Sequence, residues 1–199
     1  MTPNEVGKLL NVSRETINQF QFYLTLLEKW QRSINLVSKN TLIDAWQRHI
    51  LDSAQLAALY PPNTKRILDV GSGAGFPGLV LAIMGGAEVI LVESDHRKAA
   101  FLSTAIRLLG LSTEVYNKRI ETLPNLSADV ITSRAVAPLP KLLKLVKNQF
   151  TPENVCLFLK GETVEEELTQ LQSYSNMTLR TYPSLSGPKG VVLEVKNHC

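Results

Sequence analysis

A glycine-rich loop between a predicted strand and a predicted helix constrains the fold more than any other part of this chain. Residues 67–78 read ILDVGSGAGFPG, a short apolar run interrupted by Asp69 and followed by four glycines within eight residues. Glycine adopts positive φ at little cost and lets a ligand approach the backbone closely. Open α/β folds bind nucleotide-like ligands at such strand–turn–helix junctions.

The loop fits two cofactor patterns. Gly71, Gly73 and Gly75 have the spacing of an adenosylmethionine loop, whereas Gly73, Gly75 and Gly78 also satisfy the dinucleotide pattern G-x-G-x-x-G. A pyrophosphate needs free N–H groups at the helix N-terminus, and Pro77 removes one of them. The sequence therefore favours adenosylmethionine, while the spacing alone leaves NAD open.

The pattern of apolar segments after residue 65 predicts an α/β fold. The predicted strands cover 67–70, 89–92, 113–116, 129–132, 155–159, 179–182 and 191–195. The predicted helices between them cover 79–84, 97–109, 139–150 and 164–171. Strand–helix alternation with nearly continuous apolar strands favours a parallel, doubly wound sheet. Only a turn over 183–190 separates the last two strands, so we expect seven strands with a terminal antiparallel hairpin.

Two helical segments precede the sheet. Ser13 is the expected N-cap of the first, and the second is expected to run from Thr41 to Leu56, before Pro61-Pro62. We therefore predict an N-terminal helical extension over residues 1–62, followed by one compact α/β unit over residues 63–199.

Composition excludes several classes of protein. A chain of 199 residues with 44% hydrophobic and 20% charged residues is typical of a globular domain. Its apolar runs fall well short of the roughly 20 residues that cross a bilayer. Cys156 and Cys199 form no C-x-x-C pair, and the three histidines lack ligand spacing. We expect a monomeric cytoplasmic protein that binds neither membrane nor metal.

The distribution of charge suggests an anionic substrate. The formal net charge is only +3, but residues 111–150 contain six Lys or Arg against three acids. In an α/β fold this part of the chain supplies some of the loops that face the binding site. A basic excess there suits an anionic partner. A solvated lysine face on an amphipathic helix explains the same pattern equally well.

Five segments together resemble one family over nearly the whole chain from about residue 20 to residue 195. They are Asn35-Leu36, the RHILDS run at 48–53, the glycine loop, Ser133-Arg134-Ala135 and Leu159-Lys160-Gly161. The chain resembles the bacterial methyltransferases that modify N7 of a guanine in 16S ribosomal RNA, also called glucose-inhibited division protein B. The combination of RHILDS with the glycine loop is highly specific for that family.

The resemblance implies a Rossmann-like class I methyltransferase fold, S-adenosylmethionine as donor, and N7 of guanine 527 in the 16S rRNA of the small ribosomal subunit as acceptor. It places cofactor contacts at Gly71, Phe76, Ile120, Glu121 and Arg134. The fold itself adds Gly73, Gly75 and Glu93, since an acid about 20 residues beyond the loop binds ribose hydroxyls. The candidates for RNA phosphate contacts are Arg48, Lys118, Lys141, Lys144 and Lys147.

Arg134 has the clearest independent argument among these residues. It follows the fourth predicted strand and is expected to face the crevice, where its planar fork suits the cofactor carboxylate or an RNA phosphate. A surface salt bridge is the alternative. His49 and Asp52 are i, i+3 neighbours that can pair on a helix, in a segment with either a stabilising or a chemical role. Lys189 stands where the family commonly has arginine, and lysine lacks the bidentate geometry.

The expected mechanism needs no general base. Methyl transfer to N7 is an in-line displacement, and the N7 lone pair is free near neutral pH. Holding the reactants in line supplies about 7–11 kcal/mol, so positioning, with Arg134 as a candidate, replaces acid–base catalysis. In an RNA duplex N7 is too deep for side chains, so we expect an unpaired or extruded base. Phe76 is a candidate to stack on that base, and a structural role in the loop explains this residue equally well. The alternatives are a non-catalytic ribosome-assembly factor, an NAD-dependent oxidoreductase and a small-molecule methyltransferase.

Overall fold

The computed structural model describes residues 1–169 and 176–198, and its centre is one seven-stranded sheet. The strands are β1 Arg66–Val70, β2 Glu88–Val92, β3 Thr113–Tyr116, β4 Val130–Arg134, β5 Val155–Lys160, β6 Met177–Pro183 and β7 Val191–Asn197. Their order is β3-β2-β1-β4-β5-β7-β6. β1 to β5 are parallel, and β7 pairs antiparallel with both β5 and β6. The predicted parallel sheet with a terminal antiparallel hairpin is confirmed.

The described residues also form eight α-helices. They are α1 Pro3–Leu10, α2 Arg14–Gln31, α3 Lys39–Leu42, α4 Asp52–Ala54, α5 Gly78–Met84, α6 His96–Leu109, α7 Leu139–Leu145 and α8 Val164–Thr169. Ser13 caps α2 as predicted, since its hydroxyl accepts a hydrogen bond from the backbone N–H of Thr16. The predicted end of the last helix at residue 171 lies outside the described residues.

Side-chain alternation along the strands divides the core between the two faces of the sheet. In β5, Val155 and Leu157 join one buried cluster, whereas Cys156 and Phe158 join the other. The first cluster also contains Phe20 from α2, so the N-terminal helices share a hydrophobic core with the sheet. The boundary predicted at residue 62 stays a prediction. Within the described part of the chain, no helix has the length and apolar character needed to cross a membrane.

The helix predicted from Thr41 to Leu56 is wrong as a continuous element. The chain forms α3, a π-helical turn over Trp46–Leu51, the short α4 and a 3₁₀-helix over Gln55–Leu59. A π-turn widens the helix locally and changes the direction of its side chains, and such turns are frequent at functional sites. Apolar spacing alone does not reveal this change, because Leu42, Trp46 and Ile50 keep the four-residue spacing of an ordinary helix.

The helix predicted over residues 139–150 is also too long, since α7 ends at Leu145. The buried amide of Gln149 explains the early end. Its Nε2 donates to the carbonyl of Pro124 at 2.8 Å, and its Oε1 accepts from the N–H of Leu126 at 2.9 Å. These long-range bonds fix residues after α7 in turns instead of a further helical turn.

Candidate cofactor and acceptor site

The sheet reverses its order beside β1, and the predicted site residues meet near that point. The chain moves from β1 to β2 and β3 on one side and to β4 and β5 on the other. In open α/β sheets, the carboxyl ends of the strands at such a reversal form the ligand crevice. The glycine loop follows β1, and Arg134 ends β4, the neighbour of β1.

The glycine loop depends on left-handed backbone at three positions. Gly71, Gly73 and Gly75 have φ values of 67°, 58° and 91°, where an L side chain is strained. The N–H groups of Gly71 and Ser72 donate to the carbonyl of Val92 at 2.8 and 3.1 Å, which fastens the loop to the end of β2. A Cβ on Gly73 would meet no atom closer than 3.7 Å, so this part of the loop is accessible to a ligand.

Asp69 explains the apparent dinucleotide pattern. Its Oδ2 accepts from the N–H of Gly78 at 3.2 Å and its Oδ1 from the hydroxyl of Thr132 at 2.9 Å. A Cβ on Gly78 would lie 2.2 Å from Leu91 and 2.6 Å from Asp69 Oδ2, so this glycine serves close packing. A carboxyl group therefore occupies the start of α5, where a dinucleotide fold would bind pyrophosphate.

Glu93 joins the glycine loop to the end of β2. Its Oε2 accepts from the N–H of Gly73 and its Oε1 from the N–H of Asp95, both at 2.8 Å. Asn117, just after β3, donates its side-chain amide to the Glu93 carbonyl at 2.8 Å. Each carboxylate oxygen has a second lone pair, so Glu93 can still accept hydrogen bonds from ribose hydroxyls.

Arg134 is mostly buried and contacts the N-terminal helical region. Its Nη1 donates to the carbonyl of Arg48 at 3.0 Å and lies 3.7 Å from Oδ2 of Asp52. Its Cζ lies 4.8 Å from the centre of the Phe76 ring, a cation–π distance. Arg134 therefore does pair with an acid, as in the alternative, but the pair is largely buried, since 18% of the Arg134 side chain and 14% of the Asp52 side chain are exposed.

Phe76 lies inside the protein rather than at a binding surface. Its side chain is 3% exposed, and its ring stacks on that of His49 at a centroid distance of 4.6 Å and an interplanar angle of 16°. It also contacts Tyr23 at 5.2 Å. The Phe76 ring therefore presents no free face to an extruded base, and the expectation that it stacks on the target is not supported by its position.

The possible pairing of His49 with Asp52 is wrong. His49 shares a hydrogen bond between its Nε2 and the hydroxyl of Thr41 at 3.0 Å, whereas Asp52 bonds to residues after β6 and faces Arg134. Burial, followed by the charges of Arg134 and Arg48, lowers the pKa of His49 to about 3. A neutral histidine held in this way is a packing element and not a proton donor near neutral pH.

The other predicted site residues are spread over several elements of the fold. Ile120 is buried and Glu121 exposed at the start of a 3₁₀-helix over Ile120–Thr122, directly after β3. The five predicted RNA contacts are exposed: Arg48, Lys118, Lys141, Lys144 and Lys147. Lys118 also follows β3, whereas Lys141 and Lys144 lie in α7 and Lys147 lies just after it. Lys189 forms an exposed ion pair with Glu162 at 2.6 Å.

Sequence reasoning missed three features of the site. The hydroxyl of Tyr23 in α2 donates to the carbonyl of Ala74 in the loop. Val136 covers Gly71, and Ala135 adopts a left-handed φ of 54° beside Arg134. Tyr23 and Val136 had no detectable pattern in the sequence, because each contact joins segments more than 50 residues apart.

The donor and acceptor groups fit adenosylmethionine. The site offers a carboxylate for ribose hydroxyls at Glu93, an accessible backbone at Gly73 and a guanidinium for a carboxylate at Arg134, beside the buried apolar side chain of Ile120. Among the described residues, no group of three or more His, Cys, Asp or Glu side chains is arranged to hold a metal.

The sheet order, the terminal hairpin and the acid beneath the glycine loop define a Rossmann-like class I methyltransferase fold. A SAM-dependent methyltransferase from Aquifex aeolicus shares it with a TM-score of 0.62 and 17% identity, over 86% of this chain and 97% of that one. TYW2 from P. horikoshii, solved in complex with MeSAdo, shares this fold with a TM-score of 0.57 and 17% identity. The match covers 74% of this chain and 62% of that one. At these identities the likeness shows the fold, and the fold prediction is confirmed.

Sequence similarity identifies the family. A family model described as GidB, rRNA small subunit methyltransferase G, matches residues 16–189. A protein named Ribosomal RNA small subunit methyltransferase G from Rhodospirillum rubrum is 49% identical over 195 residues, which cover 98% of this chain and 97% of the relative. A protein of the same name from Orientia tsutsugamushi is 45% identical over 186 residues, with 94% and 93% covered. The chain belongs to the GidB family, which confirms the resemblance and the methyltransferase class.

Proposed function

We propose that this protein transfers a methyl group from S-adenosylmethionine to N7 of guanine 527 in the 16S rRNA of the small ribosomal subunit. The observation that supports the proposal most is the capped start of α5, where the Asp69 carboxyl accepts the N–H of Gly78. An acid in this position disfavours a pyrophosphate, and the neighbouring Glu93 and Arg134 suit the ribose and carboxylate of adenosylmethionine. Membership of the GidB family supports the rRNA acceptor.

The cofactor contacts divide among the elements around the crevice. Gly71, Gly73 and Gly75 allow the donor to approach the backbone, and Glu93 binds the ribose hydroxyls. Ile120 and Glu121 flank the adenine after β3. Arg134 binds the carboxylate of the donor or a phosphate of the acceptor. The buried ring of Phe76 contributes by supporting Arg134 from below the site, at 4.8 Å from its Cζ.

The residues act by orientation and exclusion of water. Adenosylmethionine, when bound, supplies an electrophilic sulfonium methyl group. N7 of guanine would form the new C–N bond with its own lone pair while the methyl–sulfur bond breaks and its electron pair stays on the thioether sulfur, so no residue has to remove a proton. His49 stays neutral because burial lowers its pKa to about 3. The buried Asp69 is occupied by Gly78 and Thr132. Neither is needed as a base, and fixed geometry supplies the rate enhancement.

Exposed cations around the crevice bind the RNA backbone. Arg48, whose carbonyl accepts a hydrogen bond from Arg134, and Lys118, which follows β3, belong to the elements that flank the site. Lys141, Lys144 and Lys147 form a second row that extends along and beyond α7 and suits RNA farther from the target base. A base in a duplex hides N7 in the deep major groove, so the acceptor is an unpaired or extruded guanine. The protein works as a monomer in the cytoplasm, where ribosomal subunits assemble.

Transfer of a tritiated methyl group tests the proposed function. Small subunits from cells that lack this protein serve as acceptor, and subunits from ordinary cells, already methylated, are the matched control. We expect label in the first and little in the second. Tight NAD binding without S-adenosylhomocysteine binding, measured by calorimetry, would support an oxidoreductase instead. Cofactor binding without label would indicate a non-catalytic assembly factor.

Charge reversal distinguishes an RNA methyltransferase from a small-molecule methyltransferase. Lys141→Glu, Lys144→Glu and Lys147→Glu together remove the row along and beyond α7, and Lys118→Glu removes the cation that follows β3. We expect both variants to raise the KM for subunits and to make that KM less sensitive to salt, because fewer phosphates are neutralised on binding. Unchanged turnover on subunits would exclude these lysines as RNA contacts, and methylation without any RNA would favour a small-molecule acceptor.

A further inference from the structure

The carboxylate of Asp52 lies between Arg134 and the turn that joins β6 to β7. Its Oδ1 accepts hydrogen bonds from the hydroxyls of Ser184 and Ser186 at 2.9 and 2.7 Å, and from Nε2 of Gln55 at 3.0 Å. Its Oδ2 lies 3.7 Å from Nη1 of Arg134, which is an ion pair and too long for a hydrogen bond. Three donors therefore fix one oxygen, and the other faces the guanidinium.

The turn itself is fastened to the helical region by two further bonds. The N–H of Leu185 donates to Oε1 of Gln55 at 2.8 Å, and Nε2 of Gln47 donates to the carbonyl of Ser186 at 3.0 Å. These contacts join residues about 130 positions apart in the chain. They hold the serine hydroxyls in place, so the direction of the Asp52 carboxylate is set by the end of the sheet as well as by its own helix.

Asp52 also compensates the burial of the Arg134 charge. Their side chains are 14% and 18% exposed. Burial lowers the pKa of Arg134, and Asp52 is the largest influence that opposes this shift. Within residues 1–169 and 176–198, Nε and Nη2 of Arg134 have no protein acceptor, so these N–H groups remain available to an anion. Removal of one partner from such a pair leaves a buried charge without compensation.

We propose that Asp52 is a positioning residue that holds the Arg134 guanidinium at the carboxyl end of β4 for an anionic group in the crevice. Asp52 acts through Arg134 and touches neither cofactor nor acceptor. Ser184 and Ser186 orient it, which makes the β6–β7 turn part of the site. The inference rests on the proposed function, because the anion is the carboxylate of adenosylmethionine or a phosphate of the RNA.

Steady-state methylation of small subunits tests this role. The KM for adenosylmethionine, the KM for subunits and kcat are measured for the wild type, Asp52→Asn, Arg134→Ala and the double variant. Asp44→Asn, the same change at an exposed acid of the preceding connector, is the matched control. We expect Asp52→Asn to raise one KM about 10- to 100-fold, by analogy with the loss seen when residues that orient metal ligands are removed. A raised KM for adenosylmethionine identifies the cofactor carboxylate as the anion that Arg134 binds. A raised KM for subunits identifies an RNA phosphate as that anion.

The double variant separates positioning from a purely structural role. Asp52→Asn is expected to add no further rise in KM once Arg134 is alanine. KM values for Asp52→Asn within twofold of Asp44→Asn, or an equal rise in the Arg134→Ala background, would overturn the inference. If Asp52→Asn does not fold, Ser184→Ala with Ser186→Ala removes two donors and keeps the charge. A smaller rise in the same KM supports the role, and no rise overturns it. Absence of methyl transfer by the wild type would instead overturn the proposed function, and the positioning role with it.

Discussion

The hydroxyl of Tyr23 in α2 donates a hydrogen bond to the backbone carbonyl of Ala74 in the glycine loop. Both groups are buried, and the Tyr23 ring packs against Phe76 and Phe101. The N-terminal helical region therefore completes the underside of the cofactor loop, in addition to covering one face of the sheet.

Tyr23→Phe should destabilise the protein and weaken cofactor binding. The ring contacts remain, but the buried Ala74 carbonyl loses its donor, which costs about 1–3 kcal/mol. Urea unfolding measures the stability, and calorimetry with S-adenosylhomocysteine measures the binding. Tyr182→Phe removes a hydroxyl that donates to Glu194 at 3.2 Å on the terminal hairpin, and it should leave binding unchanged. Equal binding by both variants would show that Tyr23 does not shape the loop.

Gly71→Ala should destabilise the protein through Val136. A Cβ on Gly71 would lie 2.4 Å from Cγ2 of Val136, in addition to the strain of its φ of 67°. Val136→Ala removes that methyl, so the cost of Gly71→Ala should be smaller in the Val136→Ala background, leaving about 1–2 kcal/mol of backbone strain. Gly73→Ala has no close neighbour and should cost the same in both backgrounds. Strict additivity for Gly71 and Val136, measured by urea unfolding, would contradict the close packing of this loop.

Asp69 should give the protein an unusual dependence on pH. Burial raises its pKa from 3.8 to about 6 against the opposing effect of its hydrogen bonds. The folded state thus favours the neutral carboxyl, so this stabilisation is complete below pH 3.8 and is lost as the pH rises towards 6. Relative to Asp69→Asn, the wild type should lose up to about 3 kcal/mol of stability over that range. A constant difference between the two unfolding free energies would contradict the raised pKa.

His49 should remain neutral in acid. Because burial and two arginines lower its pKa from 6.5 to about 3, its contribution to stability is present above pH 6.5 and is lost as the pH falls towards 3. The NMR signal of the His49 ring, assigned by its loss in His49→Gln, should not shift between pH 7 and 4.5. A shift centred near pH 6.5 would show that the ring is accessible to solvent and not stacked on Phe76.

The sequence predicted the parts of this protein that depend on local pattern. Apolar runs and turn residues gave the seven strands and the hairpin, because strand burial and glycine turns follow directly from nearby residues. The same pattern predicted that Arg134 lies at the end of β4. The glycine spacing alone did not separate the two cofactor classes, since Gly78 fits the dinucleotide pattern for a packing reason.

Long-range contacts explain what the sequence did not predict. Asp52 contacts Arg134 and Ser184, and Tyr23 contacts Ala74. No spacing in the sequence links these residues. The early end of α7 coincides with the long-range hydrogen bonds of Gln149, and the π-turn over Trp46–Leu51 interrupts a segment whose apolar spacing is that of an ordinary helix. The buried position of Phe76 likewise depends on His49 and Arg134 together, which only the folded chain brings into contact.

Chemical mapping of N7-methylguanine in 16S rRNA tests the central claim most directly. The rRNA is taken from cells that contain this protein and from cells that lack it. A third set of samples comes from cells that lack the native protein and express either the wild type or Arg134→Ala from an added gene. We predict a modified guanine 527 in the first, its loss in the second, and its return with the wild type but at a reduced level with Arg134→Ala. Equal modification of guanine 527 with and without the protein would contradict the account.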